Sequence, residues 1–284
     1  MHIEPFFDER TATLTYVVFD EATSDAVVID PVLDFEPQSG RVWTESLEKL
    51  AALIDERKLR LHAVMETHAH ADHLSGSQWL KKRYGAKVVI GRRITEVQAV
   101  FRQVFELDGF PEDGRQFDQL LNDRELFRAG SLVFKVLPTP GHTPACVSYL
   151  VGDAAFTGDA LFQEDLGVGR CDFPNGDAAT LYESVTTQLF TMSDSTRLFV
   201  GHDYPPAGRP WKASTTVGDA KRANIQLNAS VSREQFVSQR TARDRTLPVP
   251  RLLYPSVQVN IDAGRLPEPG ATGKRFLKLP LTGL

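Results

Sequence analysis

Residues 67–73 read Thr-His-Ala-His-Ala-Asp-His, so three of the chain's seven histidines sit beside an aspartate within a single heptapeptide. Imidazole nitrogens and carboxylate oxygens are the ligands of zinc, iron and manganese. A fold that suits this chain must bring those side chains to one point. The flanks say where that point lies. Leu61-His62-Ala63-Val64-Met65-Glu66 is an apolar-rich run with strand character. Downstream, residues 74–84 have the period of an amphipathic helix closed by Gly85. The cluster is therefore expected on a strand-to-helix loop, where functional groups collect in layered α/β folds. On its own, a short histidine-rich run is equally a solvated loop or a tag, so partners elsewhere in the chain decide its meaning.

Those partners exist. His142 lies in Pro138-Thr139-Pro140-Gly141-His142-Thr143-Pro144, after a strand-like run at 132–137. Asp159 lies in Thr157-Gly158-Asp159, at the end of a segment, 147–156, that reads as a hairpin turning at Gly152-Asp153. His202 lies in Gly201-His202-Asp203-Tyr204, after a strand-like run at 197–200. Four separate strand ends each deliver a ligand-type side chain, three of them beside a glycine that lets backbone approach a crowded site. Residues 13–19 and 26–30 look like a strand pair, 46–58 has the helical period, and 87–91 returns as a strand.

The ordered set His68-x-His70-x-Asp72-His73, His142, Asp159 and His202 resembles the metallo-β-lactamase superfamily over roughly residues 10–205. The resemblance implies an α/β architecture, the αββα sandwich of two mixed β-sheets flanked by helices, with metal at one edge. One domain over 1–284 is expected, with 205–284 as a C-terminal extension packed on it. No low-complexity linker divides the chain, and the ligand span from 68 to 202 forces that stretch into one unit.

Composition narrows the partners. With 42% hydrophobic residues the chain can bury a sizeable core, and a net charge of −5 gives no basic footprint for nucleic acid. No apolar run is long enough to span a bilayer, and the N-terminus lacks the features of a signal or transit peptide. Cys146 and Cys171 do not make a disulfide scaffold, so a reducing, cytoplasmic setting is the expectation.

Fold does not settle chemistry in a family with many reactions. Two branches compete: thioester hydrolases resembling glyoxalase II (hydroxyacylglutathione hydrolases), and persulfide dioxygenases. Three local features favour the dioxygenases. Gly201-His202-Asp203-Tyr204 carries aspartate where glyoxalase II reads Gly-His-Glu-Tyr. Gly169-Arg170-Cys171-Asp172-Phe173 resembles Gly-Arg-Thr-Asp-Phe, with cysteine for threonine. Gly141-His142-Thr143-Pro144-Ala145-Cys146 resembles Gly-His-Thr-x-Gly-Cys, with Ala145 for glycine. The portion after 205 also lacks an obvious helical glutathione-binding domain; it carries the rigid loop 204–210 and one expected helix at 219–228. Residues 255–261 alternate in polarity, open to a role in completing a sheet, capping the sandwich or building a dimer interface, and 267–273 reads as a loop.

The resemblance to persulfide dioxygenases implies one Fe(II) per chain on His68, His142 and Asp159, a face of two histidines and one carboxylate that leaves coordination positions open. His70, Asp72, His73 and His202 then orient ligands and water. A binuclear hydrolase would instead place His68, His70 and His142 on one zinc and Asp72, His73 and His202 on the other, with Asp159 bridging. Spacing alone leaves both open. The implied substrates are glutathione persulfide and dioxygen, the products sulfite and glutathione, and the setting sulfide detoxification. A homodimer is a separate expectation with no motif behind it, and family context adds a functional link to a sulfurtransferase. Arg170 is read as a carboxylate partner or a structural ion pair with Asp172. Tyr204 is read as a hydrogen-bond donor to substrate or a half-buried packing residue. Cys171 and Cys146 are read as redox reporters near the metal or small buried apolar groups. A non-enzymatic metal or redox sensor is the remaining alternative; the small residues around the ligands argue for substrate room and against it.

Overall fold

The computed structural model describes residues 1–281. The chain opens with β1 (His2–Asp8), β2 (Thr13–Phe19), β3 (Asp25–Ile29), β4 (Val32–Glu36) and β5 (Arg41–Trp43), followed by α1 (Glu45–Glu56). Next come β6 (Arg60–Glu66), β7 (Leu74–Ser75), α2 (Ser77–Tyr84), β8 (Lys87–Gly91), α3 (Ile94–Val104) and β9 (Gln119–Leu121). The second half contains β10 (Leu126–Ala129), β11 (Leu132–Pro138), β12 (Val147–Val151), β13 (Ala154–Gly158), α4 (Ala178–Ser184), β14 (Arg197–Val200) and β15 (Ser214–Thr216). It ends with α5 (Val217–Ala223), α6 (Arg233–Asp244) and α7 (Leu253–Asn260).

Two six-stranded sheets form, β1-β2-β3-β6-β8-β9 and β10-β11-β12-β13-β14-β15. Each is mixed. β1, β2 and β3 pair antiparallel whereas β3, β6, β8 and β9 pair parallel, and β13–β14 is the parallel step of the second sheet. Alternation along β2 explains the stacking. Leu14, Tyr16 and Val18 point into the core between the sheets, while Val17 and Phe19 join Leu47, Leu50 and Ile54 of α1 on the outer face. The second sheet turns Ala155 and Leu198 outward onto Leu181 of α4, Ala220 of α5 and Phe236 of α6. The order of layers is helix, sheet, sheet, helix, as the sequence resemblance implied.

Several expected elements sit as read, with ends shifted by a residue or two. Three differ for identifiable reasons. The helix expected over 74–84 begins at Ser77, because Leu74 and Ser75 pair with β4 and the Ser75 amide donates to Asn260 Oδ1 at 2.8 Å. Gly85 does close it, in the left-handed region at φ 72°. The helix expected over 219–228 stops at Ala223, where the Asn224 side chain accepts the amides of Gln226 and Leu227 at 3.0 and 2.9 Å. The alternating stretch 255–261 is largely helical: Pro255 falls in the first turn of α7, where an amide has no intrahelical acceptor to lose. Patterning also missed α6, which buries only Phe236, Arg240 and Asp244. The C-terminal helices pack on both outer faces; the last residues of the expected extension, 282–284, lie outside the described residues. Among the described residues no helix is long and apolar enough to cross a membrane.

Two buried tyrosines stitch the sheets together at the end where the histidine loops emerge. Tyr16 of the first sheet donates to the Val200 carbonyl at 2.6 Å and the Ala213 carbonyl at 2.9 Å. Tyr149 of the second donates to the Glu66 carbonyl at 2.7 Å. Each anchors backbone just before a histidine loop. Tyr16→Phe leaves the buried Val200 carbonyl without that donor and should cost roughly 1–3 kcal/mol in urea unfolding, with the slope of the transition unchanged.

Candidate metal centre

His68 follows β6 directly, and its protonation state is dictated by a short relay. Thr67 donates from its amide to Asp30 Oδ1 at 2.7 Å and from its hydroxyl to Asp30 Oδ2 at 2.8 Å. With that proton committed, Thr67 Oγ1 is an acceptor for His68 Nδ1–H at 3.0 Å. Nε2 is thereby left as a lone pair, buried and with no hydrogen-bond partner. Burial, reinforced by the neighbouring His70 and His142, pushes the His68 imidazole well below its ordinary pKa. A neutral, unprotonated nitrogen is what a metal requires.

His142 is set the same way. Its Nδ1 lies 2.6 Å from the Arg170 carbonyl, which can only accept, so Nε2 carries the lone pair. That nitrogen is 3.4 Å from Asp159 Oδ2, and Asp159 Oδ1 is buried without a hydrogen-bond partner. Ligand atoms of His68, His142 and Asp159 all lie within 4.8 Å of one another. Gly201 makes this possible: a Cβ there would come 2.8 Å from Asp159 Oδ1.

The remaining candidates converge alongside. His202 Nδ1 donates to the Ala12 carbonyl at 3.2 Å, and its Nε2 faces Asp72 Oδ2 and Asp159 Oδ1, each at 3.4 Å. His73 Nδ1 is 3.1 Å from Asp72 Oδ2, and its Nε2 is buried without a partner. Burial opposes ionisation of Asp72, but His202 and His73 prevail and hold its carboxyl well below the usual range. Burial likewise opposes charging of His202, and Asp72 and Asp159 prevail, raising it. His70 turns aside. Its Nε2 is 3.0 Å from Asp30 Oδ1 and 3.3 Å from Glu66 Oε2, at ion-pair distance but without hydrogen-bond alignment. Ligand atoms of His70, Asp72 and His73 form a second group within 4.8 Å, and those of His70, Asp30 and Glu66 a third.

Several buried polar atoms thus meet at one edge of the sandwich without a hydrogen-bond partner, which fits a bound cation. Beside them opens a cavity of about 860 Å³ that contains Asp72, His142, Asp159, His202 and Tyr204 in its wall. Arg170 also lines it, but its guanidinium is bound to Asp172 at 2.6 and 2.7 Å and to the Pro248 carbonyl at 2.8 Å. The Tyr204 ring stacks on His202 at 5.5 Å and remains 51% exposed. Cys146 and Cys171 are free and buried, and burial drives both thiols up, that of Cys146 to about 12. Both stay protonated. Asp203 points away from the centre: its carboxylate is taken by Arg209 at 2.6 and 2.9 Å and by the Lys212 amide at 2.6 Å.

Three contributors escaped the sequence. Asp30 directly follows β3 and Glu66 ends β6, both as buried carboxylates, and a charged residue closing an otherwise apolar run was their only signal. Asn260 had none. From α7 it donates to the carbonyls of His70 and His73, both at 2.8 Å, and accepts the Ser75 amide.

Residues 9–202 match the sequence profile of the metallo-beta-lactamase superfamily. A probable metallo-hydrolase from Burkholderia pseudomallei is 45% identical over all of both chains. Glyoxylase B2 of Dictyostelium discoideum is 43% identical over 99% of this chain and 97% of its own. The human mitochondrial persulfide dioxygenase ETHE1 is 32% identical over 92% of this chain and 88% of its own. Some relatives are longer: the chain spans 64% of a beta-lactamase hydrolase-like protein from Agrobacterium fabrum that is 46% identical to it. Among solved structures, ETHE1 from Myxococcus xanthus superposes with a TM-score of 0.75 at 37% identity, over 93% of this chain and 100% of that one.

Asn260→Ala would strip three bonds from the histidine loop. The expected result is a loss of roughly 1–3 kcal/mol in thermal unfolding, from buried carbonyls left unpaired. Metal content after dialysis against a chelator should fall in parallel.

Proposed function

We propose that this chain, which belongs to the metallo-β-lactamase superfamily, is a mononuclear iron(II) dioxygenase that acts on glutathione persulfide. The observation that carries this reading is the division of the centre. His68, His142 and Asp159 form one compact group, while the Nε2 of His70 lies against Asp30 and Glu66, its ring packing beside His68. Two histidines and one carboxylate make the face that suits non-haem iron(II). Similarity to ETHE1 proteins points the same way.

Those three residues would hold the metal, which when bound supplies a redox-active centre with open coordination positions. The chain's own residues do the rest. Thr67 and the Arg170 carbonyl keep the Nδ1 protons of His68 and His142 turned away from the centre. Asp72, His73 and His202 line its other side and can hold a water, one reactant of the overall change. That change is balanced as glutathione persulfide, dioxygen and water giving glutathione and sulfurous acid, which ionises to sulfite. Arg243 and Arg251 in the cavity wall suit a carrier bearing carboxylates, whereas Arg10, Arg170 and Arg240 of the same wall are paired with carboxylates of the chain. Residues 205–284 are read as an extension of the same domain, and two free buried cysteines accord with a reducing compartment such as the cytoplasm.

A binuclear thioester hydrolase is the second reading, favoured by the His70–Asp72–His73 group and by the similarity to glyoxylase B2. Zinc in such a site polarises a carbonyl and activates water, and it has no redox step to offer oxygen.

Aerobically purified protein is expected to carry about one iron per chain and to consume oxygen on addition of glutathione persulfide. Two zinc ions with thioester cleavage and no oxygen uptake would overturn the proposal. His142→Ala or Asp159→Ala should abolish iron loading, whereas His202→Ala should keep iron and lose activity. Loss of half the metal from His202→Ala would mark a two-metal site.

A further inference from the structure

We propose that the buried Arg240–Asp244 ion pair of α6 is a positioning device for His142 and Asp159, one that sets metal affinity from outside the residues common to the superfamily. This rests on reading those two residues as ligands. Both lean on a single loop, 166–172. The Arg170 carbonyl accepts His142 Nδ1–H at 2.6 Å, and the Gly169 amide donates to the Asp159 carbonyl at 3.1 Å. That loop in turn hangs on α6 and the segment before it. Arg240 Nη1 donates to the Val168 carbonyl at 3.3 Å, and Asp244 Oδ2 accepts the Cys171 amide at 2.9 Å. Arg240 also donates to Gln226 Oε1 at 2.7 Å, while Gln226 Nε2 donates to the Leu166 carbonyl at 2.8 Å. Asn224 holds the Gly167 carbonyl at 3.0 Å.

The two anchors from the pair therefore bracket Arg170. A carbonyl fixed on both sides cannot rotate, so the direction of its bond to His142, and with it the aim of Nε2, is fixed too. Arg240 and Asp244 are 3% and 4% exposed, and Arg240 Nη2 bonds Asp244 Oδ1 at 2.5 Å. A buried pair of this kind adds little stability over a well-packed apolar pair, so its geometry is what distinguishes it. The superfamily match ends at residue 202, well before α6. His68 stands just past β6, braced by Thr67 and Asp30, and among the described residues makes no hydrogen bond to loop 166–172 or α6.

The test separates positioning from mere packing. Arg240→Met/Asp244→Leu replaces the pair with apolar groups and should still fold, with a lower unfolding temperature because the Val168 carbonyl and the Cys171 amide lose their partners. Its anaerobic Fe(II) affinity, measured by chelator competition, is expected to fall about 10–100-fold, and the visible spectrum of the Co(II)-loaded protein should change. A folded double variant with wild-type affinity and an unchanged spectrum would refute the proposal. Should the double variant fail to fold, Asp244→Asn, which keeps an acceptor for the Cys171 amide, must bind Fe(II) more tightly than Asp244→Ala; equal affinities refute it. The same ordering is expected with Zn(II), so failure of the dioxygenase reading leaves this result interpretable.

Discussion

Imidazole nitrogens and carboxylate oxygens are costly to bury without partners, and this fold buries several of them at one point. Among the described residues, His68 Nε2, His73 Nε2 and Asp159 Oδ1 make no hydrogen bond. A net stabilising protein can carry such a cluster only if something outside the chain satisfies it. A cation does so at once, which is why a metal is the premise for everything else at this edge of the sandwich. Around it, three imidazoles spend their Nδ1 on a fixed partner: Thr67 for His68, the Arg170 carbonyl for His142 and the Ala12 carbonyl for His202. The tautomers are chosen before any metal arrives, and the reorganisation needed on binding is correspondingly small.

That precision needs a rigid support. Parallel and antiparallel strands bring Thr67, Asp159 and Gly201 to the same end of two sheets, and hydroxyls of Tyr16 and Tyr149 tie those sheets backbone to side chain at that end. The C-terminal helices then add two braces that the sandwich alone lacks. Asn260 of α7 pins the histidine loop, and α6 holds the loop against which His142 and Asp159 rest. The centre is therefore shared between the common fold and a peripheral segment, with the cavity between α6 and the metal edge open to substrate.

The ligand-type residues were legible because their spacing is local or each follows a strand, and period-two patterning marks where strands end. His68, His70, Asp72, His73, His142, Asp159 and His202 all gather where that logic puts them. Asp203, used to separate the two enzyme branches, proved to be a clamp on Arg209 rather than a member of the centre, so its weight as a marker comes from resemblance and not from contact. The Arg170–Asp172 pair, one of two readings of that arginine, is present.

By itself the sequence determined most of the strands and the residues able to hold a metal, since hydrophobic period and side-chain chemistry are properties of short segments; the sandwich came from the resemblance those residues carry. Only the tertiary structure decided which polar groups surround those residues. His70 turns toward Asp30 and Glu66, and Asn260 reaches a loop 190 residues away. The α6 pair grips loop 166–172 although its helix shows almost no apolar face. Contacts of this kind are made between polar atoms distant in the chain, where neither periodicity nor spacing leaves a trace, and they exist only once the apolar layers have closed.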